Sequence, residues 1–390
     1  MHRRGFLSLL SLAAPLVVVP RLAWPAPAPR KGASKKTLVL VLQRGAADGL
    51  SMVPPIGDPK YAALRPTIAV PPKDAKPLSG PFALHPGLAA LLPAWSKGAL
   101  AIVHAAGSPD PTRSHFDAQD YLETGTPGYK STDEGFLARA LGGEPRGSLR
   151  AVAVAPSLPR VLHGDPDALA FGSLEALDVP GKSKGTFEAM YQGALDAALR
   201  GAGEEAFAAI ERLKHAKVAS LEPANGAKYP EGIVGKRLRQ VAQRIRSEVG
   251  VEVAVVDTGG WDTHVNQAPQ LDKRLAELGD ALAAFATDLG PSLKDTCLVT
   301  ATEFGRTVKE NGSGGTDHGH GSVMLVLGGG VKGRRVIGPW KGLDDLWEGR
   351  DLPVTTDHRS VFSEILRAHL GLADPSAAFP GFTPSKVGLF

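Results

Sequence analysis

One cysteine in 390 residues excludes a disulfide framework within the chain. Cys297 sits inside an apolar run and reads as a buried strand residue. The apolar run over residues 7–19 is far shorter than the roughly 20 residues a membrane-spanning helix needs. Pro15 interrupts it as well. Acidic residues are absent from positions 1–36, which carry Arg3, Arg4, Arg21, Arg30, Lys31, Lys35 and Lys36. Without those seven positive charges the net charge falls from +4 to −3. The basic balance therefore belongs to the N-terminal segment, and nucleic acid is excluded as a partner.

That segment is the first thing the sequence does contain. His2-Arg3-Arg4-Gly5-Phe6-Leu7, then an apolar run and Pro/Ala-rich sequence, has the form of a twin-arginine signal peptide and linker over residues 1–36. Ala26-Pro27-Ala28 supplies a small-x-small cleavage pattern. The expectation is a periplasmic or secreted protein with no transmembrane span in the mature chain. With 43% hydrophobic and 22% charged residues, the remainder, 37–390, can bury a sizeable core as one α/β domain.

Short continuous apolar runs at 37–42, 99–103, 151–155, 251–256, 298–302 and 323–327 predict buried strands of a mostly parallel sheet. Helical patterns cover 84–95, 116–123, 186–221, 233–249, 270–289 and 357–370. The unit from 251 to 302 predicts two strands that are parallel neighbours across a right-handed connection. Residues 54–81 read as a long surface loop, 130–232 as a helical insertion or cap, and the C-terminal tail as surface packing.

Polar chemistry gathers where the strands end, the edge at which open α/β sheets bind ligands. Asp257, Asp262 and His264 follow one run, Glu303 and Arg306 follow the next, and Asp317, His318 and His320 precede the last. Imidazole with carboxylate suits zinc, manganese or iron better than calcium. Asp257, Asp262, His264, His318 and His320 are thus candidate ligands for one zinc or manganese ion. The competing reading is a glycine-rich loop with exposed histidines. Arg44, Arg113 and Arg306 each follow a predicted strand, and their forks could converge on one phosphate, sulfate or carboxylate. Singly, each is a surface or ion-pairing residue. Ser114 either caps the helix that begins beside it or, with His115, joins the chemistry.

The segments RGAADGL, RSHFDAQDYLETG, GGWDTH, TEFGRT and GTDHGHGSVMLVLGGGVKG together resemble the bacterial domain-of-unknown-function family numbered 1501, over nearly the whole mature chain. Members of that family resemble the alkaline phosphatase and sulfatase superfamily. This implies a three-layer α/β/α sandwich with a mostly parallel sheet. It also implies metal ligation by Asp257 or Asp262 with His264, and by His318 or His320. Three slots depart from the superfamily pattern: Gln43-Arg44 replaces the first-strand Asp, Glu303-Phe304-Gly305 replaces Asp-His-Gly, and the nucleophile position falls on His115, one residue from Ser114. The resemblance implies an exported, metal-dependent hydrolase of a phosphate or sulfate ester or related anionic substrate. Ser114 or a water would attack, with Glu303 orienting the water or acting as base. The departures imply the alternative, a catalytically degenerate envelope protein that binds an anionic glycan or a partner protein.

Overall fold

The computed structural model describes residues 36–142, 149–172, 213 and 218–390. The expected twin-arginine segment and nearly all of the expected 186–221 helix lie outside the described residues.

The apolar runs become strands because each is continuous, rich in β-branched residues and too short for a core helix. The chain begins with β1 (Thr37–Gln43), α1 (Gly49–Met52), α2 (Lys60–Leu64), a hairpin of β2 (Lys76–Pro77) and β3 (Ala83–Leu84), and α3 (Leu92–Ser96). Then come β4 (Leu100–Gly107), α4 (His115–Thr124), α5 (Phe136–Leu141), β5 (Ala151–Val154) and β6 (Leu169–Ala170). The second half runs α6 (Ile233–Arg246), β7 (Val253–Thr258), α7 (Gln267–Leu289), β8 (Thr296–Ala301), β9 (Ser322–Gly328), β10 (Arg335–Ile337), β11 (Thr356–Asp357) and α8 (His358–Glu364).

A nine-stranded sheet has the order β10-β4-β9-β8-β1-β7-β5-β6, with β11 also paired to β4. Its pairings are parallel except those of β9, which runs against both β4 and β8. The amino end of β9 therefore lies at the same edge as the carboxyl ends of β1, β4, β7 and β8. That one reversal brings the residues before β9 to the loops that follow the other strands.

Side chains alternate between two cores, as the period of a strand requires. Val39, Val41, Ala254 and Val256 face α6 and α7, where Leu238, Val241, Leu271, Leu275, Leu278, Leu282 and Phe285 form the packing stripe. Leu38, Leu40, Val253, Val255 and Val299 face α5 and α8, against Phe136, Leu137, Val361 and Phe362. The result is a three-layer α/β/α sandwich. Each such buried side chain contributes roughly 1.5–3 kcal/mol of transfer free energy.

Several expectations are corrected. β7 and β8 are parallel but not adjacent, because β1 lies between them and pairs with both. β1 is buried along its full length, and the centre of the sheet is where such a strand loses most water contact. The 84–95 helix is a 3-10 segment followed by α3, with Pro86 and Pro93 at the two starts. Residues 54–81 are no bare surface loop: they carry α2 and β2 and bury Tyr61, Arg65, Ile68 and Val70. Within the expected 130–232 cap, α5 packs on the sheet and β5 and β6 extend it. The tail is not merely superficial, since Phe379 and Leu389 are buried. Glu364 fastens its end by accepting the backbone N–H of Val387, Gly388, Leu389 and Phe390 at 2.5–3.1 Å. Among the described residues no helix is long and apolar enough to cross a membrane.

Candidate metal centre

Three imidazoles and one carboxylate meet at the shared edge. The Nε2 of His318 lies 3.0 Å from the Nε2 of His115 and 3.0 Å from the Nε2 of His264. Asp262 closes the group, with Oδ1 at 2.9 Å from His264 Nε2 and 3.2 Å from His318 Nε2, and Oδ2 at 3.4 Å from His115 Nε2. His115, Asp262 and His318 by themselves already form a cluster able to hold a metal ion.

Each element delivers its side chain for a local reason. His115 opens α4, whose start is fixed by Ser114: the serine hydroxyl accepts the Asp117 N–H at 3.4 Å. Asp262 and His264 follow β7 on a loop pressed against the turn after β1. Gly45 makes that approach feasible, having φ +113° and space so tight that a Cβ would lie 2.7 Å from the Asp262 nitrogen. His318 is set by a ladder between two loops, in which Gly305 N–H donates to His320 O at 2.7 Å and Gly319 N–H to Gly305 O at 2.9 Å. A Cβ on Gly305 would meet the Gly321 carbonyl oxygen at 1.9 Å, so only glycine fits.

The ring orientations are held from behind. His115 Nδ1 donates to Glu303 Oε1 at 2.8 Å, His264 Nδ1 to Asp317 Oδ1 at 3.1 Å, and His318 Nδ1 to the Arg113 carbonyl at 2.8 Å. All three acceptors lack a proton to give, so each Nδ1 carries the hydrogen and each Nε2 presents a lone pair to the centre. Lone pairs 3.0 Å apart beside a carboxylate repel one another unless a proton or a cation lies between them. One proton can relieve only one such contact.

Electrostatics keep the carboxylates ionised. Burial pushes Glu303 upward, but hydrogen bonds from His115, Gln119 and the Gly45 N–H outweigh it and hold its pKa below the usual carboxylate value. Burial likewise opposes ionisation of Asp262, and the hydrogen bond and charge of Arg306 reverse the balance. The Asn311 and His264 hydrogen bonds lower Asp317. His115 is raised, chiefly by its hydrogen bond to Glu303, whereas burial lowers His318. Phe304 stacks on His115 with centroids 4.9 Å apart and touches His318 at 5.1 Å. The phenylalanine that departs from Asp-His-Gly thus forms a wall that fixes two imidazoles. The centre is open to solvent, with 42% of the Asp262 and 40% of the His264 side chain exposed, as a site that takes a further ligand requires.

Of the residues put forward on sequence, Asp262, His264 and His318 converge, and His115 joins them from the catalytic pair. Asp257 does not: it pairs with Arg44 Nε at 3.1 Å. His320 does not either, because it lies two residues nearer the sheet, donates Nε2 to Ser108 O at 2.9 Å and packs at a tilt against Trp347. The three arginines do not clasp one anion. Arg44 binds Glu123 and Asp257, Arg113 binds Glu348 and Asp351, and Arg306 binds Asp262 and Thr316. Ser114 acts as a helix cap, and Glu303 is engaged by three donors on one oxygen.

The sequence reading missed Gln119, Asn311, Thr316, Gln267 and Trp347. Gln119 was accessible: it stands four residues after His115 on one helix, so both reach Glu303. Behind the centre runs a buried chain of hydrogen bonds, from the Arg65–Asp48 pair through Gln267 and Thr316 to Arg306 and Asp262.

Residues 85–379, most of the chain, match the model of the family described as "Protein of unknown function (DUF1501)". The chain belongs to that family. No curated protein matches this DUF1501 chain. Among solved structures, it is similar to the C-terminal periplasmic domain of EcEptC from Escherichia coli, in complex with Zn. Identity is 11%, coverage is 78% of this chain and 77% of that one, and the TM-score is 0.36. So loose a likeness carries no argument about the site.

Proposed function

We propose that this DUF1501 protein binds one divalent transition-metal ion, zinc or manganese, at His115, Asp262, His264 and His318 and hydrolyses an ester. One observation carries the reading: three imidazoles have their Nδ1 protons tied back and turn bare Nε2 atoms onto one carboxylate. Three nitrogens and one oxygen are a donor set that borderline cations favour. When bound, such an ion supplies a Lewis acid and a more acidic water.

The chain's own residues do the rest. Glu303 and Asp317 hold protons on the outer nitrogens of His115 and His264, and the Arg113 carbonyl does so for His318. Arg306 fixes the Asp262 carboxylate at 2.7 Å and offsets its charge. Phe304 excludes water from one side of the imidazoles. Water is the preferred nucleophile, since Ser114 is engaged as a cap and Glu303 is saturated with donors. Phosphate and sulfate esters are the first substrates to try. The twin-arginine-type segment supports placing the reaction in the periplasm or outside the cell, after folding and metal loading in the cytoplasm.

A second reading has its own support. The pairing of Arg44, Arg113 and Arg306 with carboxylates leaves the expected anion clasp unformed, which favours a degenerate envelope protein binding an anionic glycan or a partner protein. The test is cobalt titration of the metal-free mature chain, followed by zinc or manganese loading and assay on aryl phosphates and sulfates. Visible absorption bands at one equivalent and chelator-sensitive turnover support the enzyme. Bands without turnover on any ester support the binder, and no bands contradict the metal centre and leave the binder as the reading.

A further inference from the structure

His318 differs from the other two imidazoles in what stands behind it. Carboxylates hold His115 and His264, whereas the acceptor for His318 Nδ1 is the main-chain carbonyl of Arg113 at 2.8 Å. A carbonyl is only as well placed as its chain, and residues 108–114 form neither helix nor strand. The Arg113 side chain fastens this segment. Its Nε and Nη2 donate to Asp351 Oδ2 at 3.3 and 2.8 Å, and its guanidinium lies over the Trp347 ring, 5.0 Å from the centroid.

The other oxygen of the same carboxylate reaches His318 from the opposite end. Arg350 Nε donates to Asp351 Oδ1 at 3.0 Å, and Arg350 Nη2 donates to the His318 carbonyl at 2.6 Å. One carboxylate therefore governs the ring of His318 through Arg113 and its backbone through Arg350. Asp351 is itself held firmly: it is fully buried, its N–H donates to Trp347 O at 3.0 Å, and its carbonyl accepts the Trp347 N–H at 2.9 Å. Without its charge, two guanidinium groups would face each other with no anion between them.

We infer that Asp351 is the positioning residue of the metal centre, gripping His318 at both ends through Arg113 and Arg350. This rests on the metal-centre reading above and deepens it. Asp351 touches neither a bound ion nor a substrate. It keeps His318 Nε2 at 3.0 Å from the Nε2 atoms of His115 and His264, where a ligand set has to be held to within about 0.5 Å to work.

The experiment is cobalt titration and zinc competition on the parent, Asp351→Asn, Arg350→Met and the double variant, with Glu252→Gln as control. Glu252 pairs with the buried Arg150 at 3.1 Å just before β7 begins, at the edge of the sheet opposite the centre. Asparagine keeps the shape of Asp351 and loses the charge that holds both arginines. Asp351→Asn is expected to weaken zinc binding about 10–100-fold and to shift the visible bands of bound cobalt, which report ligand geometry. The Arg350 side chain is 42% exposed, so Arg350→Met keeps the fold and removes one grip, at about three- to tenfold in affinity. The double variant is expected to lose less than the product of the single losses, because both act through His318. Glu252→Gln is expected to melt at lower temperature with the zinc affinity and cobalt bands of the parent. Parent-like bands in Asp351→Asn and Arg350→Met, with zinc affinity within about twofold, overturn the inference. So do bands that shift equally in Glu252→Gln, since loss of stability alone would then explain them. Should Asp351→Asn not fold, Arg350→Met decides by the same bands and the same limit. A parent without cobalt bands fails earlier, at the metal reading, and takes this inference with it.

Discussion

Glu303→Gln isolates what holds His115 in place. The parent carboxylate accepts three donors on Oε1, from His115 Nδ1 at 2.8 Å, the Gly45 N–H at 2.8 Å and Gln119 Nε2 at 2.9 Å. It also lies 3.0 Å from Thr302 Oγ1 through Oε2. Glutamine keeps the shape and one acceptor oxygen, so the backbone contact to Gly45 survives and the fold persists. What is lost is the negative charge that fixes the Nδ1–H tautomer and increases the basicity of Nε2. Partners behind metal ligands typically govern affinity by a factor of about 10–100, which corresponds to about 1.4–2.7 kcal/mol. A competition titration with a chromophoric chelator at constant pH is expected to show weakening in that range, with metal-free thermal stability nearly unchanged. Glu303→Ala should also strand the Gly45 N–H, at about 1–3 kcal/mol of stability. Zinc affinity of Glu303→Gln within about twofold of the parent would refute the assignment of Glu303 as the group that orients His115.

Three further outcomes follow from the same contacts. Asp48→Asn leaves the fully buried Arg65 without its counter-charge and should cost about 3–5 kcal/mol in chemical denaturation. Burial raises the Asp48 pKa, but the charge and hydrogen bonds of Arg65 hold it below the usual value. Its contribution is therefore present above the unfolded value near 4 and is lost as pH falls through the lower folded value. The melting temperature of the parent should fall with acid in that window, and that of Asp48→Asn should fall less over the same range. Gly45→Ala must place a Cβ at positive φ, 2.7 Å from the Asp262 nitrogen, and is expected to lower stability by roughly 1–3 kcal/mol while weakening metal uptake. Ser114→Ala loses a helix cap, about 0.5–2 kcal/mol, and should retain both metal and any hydrolysis. Loss of hydrolysis with metal content intact would restore Ser114 as nucleophile.

Much of the fold was legible because continuous apolar runs and the leucine stripe of α7 report burial directly. Sheet order was not. The pairing of β1 with both β7 and β8 joins segments more than two hundred residues apart in sequence, and only three-dimensional competition for the central position decides it. The same applies at the centre. Asp262, His264 and His318 were visible as polar residues at strand ends, yet Asp257 and His320 looked just as suitable. Asp257 is the penultimate residue of β7 and turns to Arg44, and His320 reaches the loop after β4 under Trp347. His115 was noticed for the slot it occupies, and its partnership with His318 arises from β9 running against its neighbours. Arginines counted as free anion binders were already paired, because each loop also brought its own acid.

Metal content of the protein, purified without chelator and compared with His264→Ala and His318→Ala, tests the central claim most directly. The account predicts close to one zinc or manganese ion per chain in the parent and its loss in both variants. A parent that binds no transition metal even after reconstitution would contradict it.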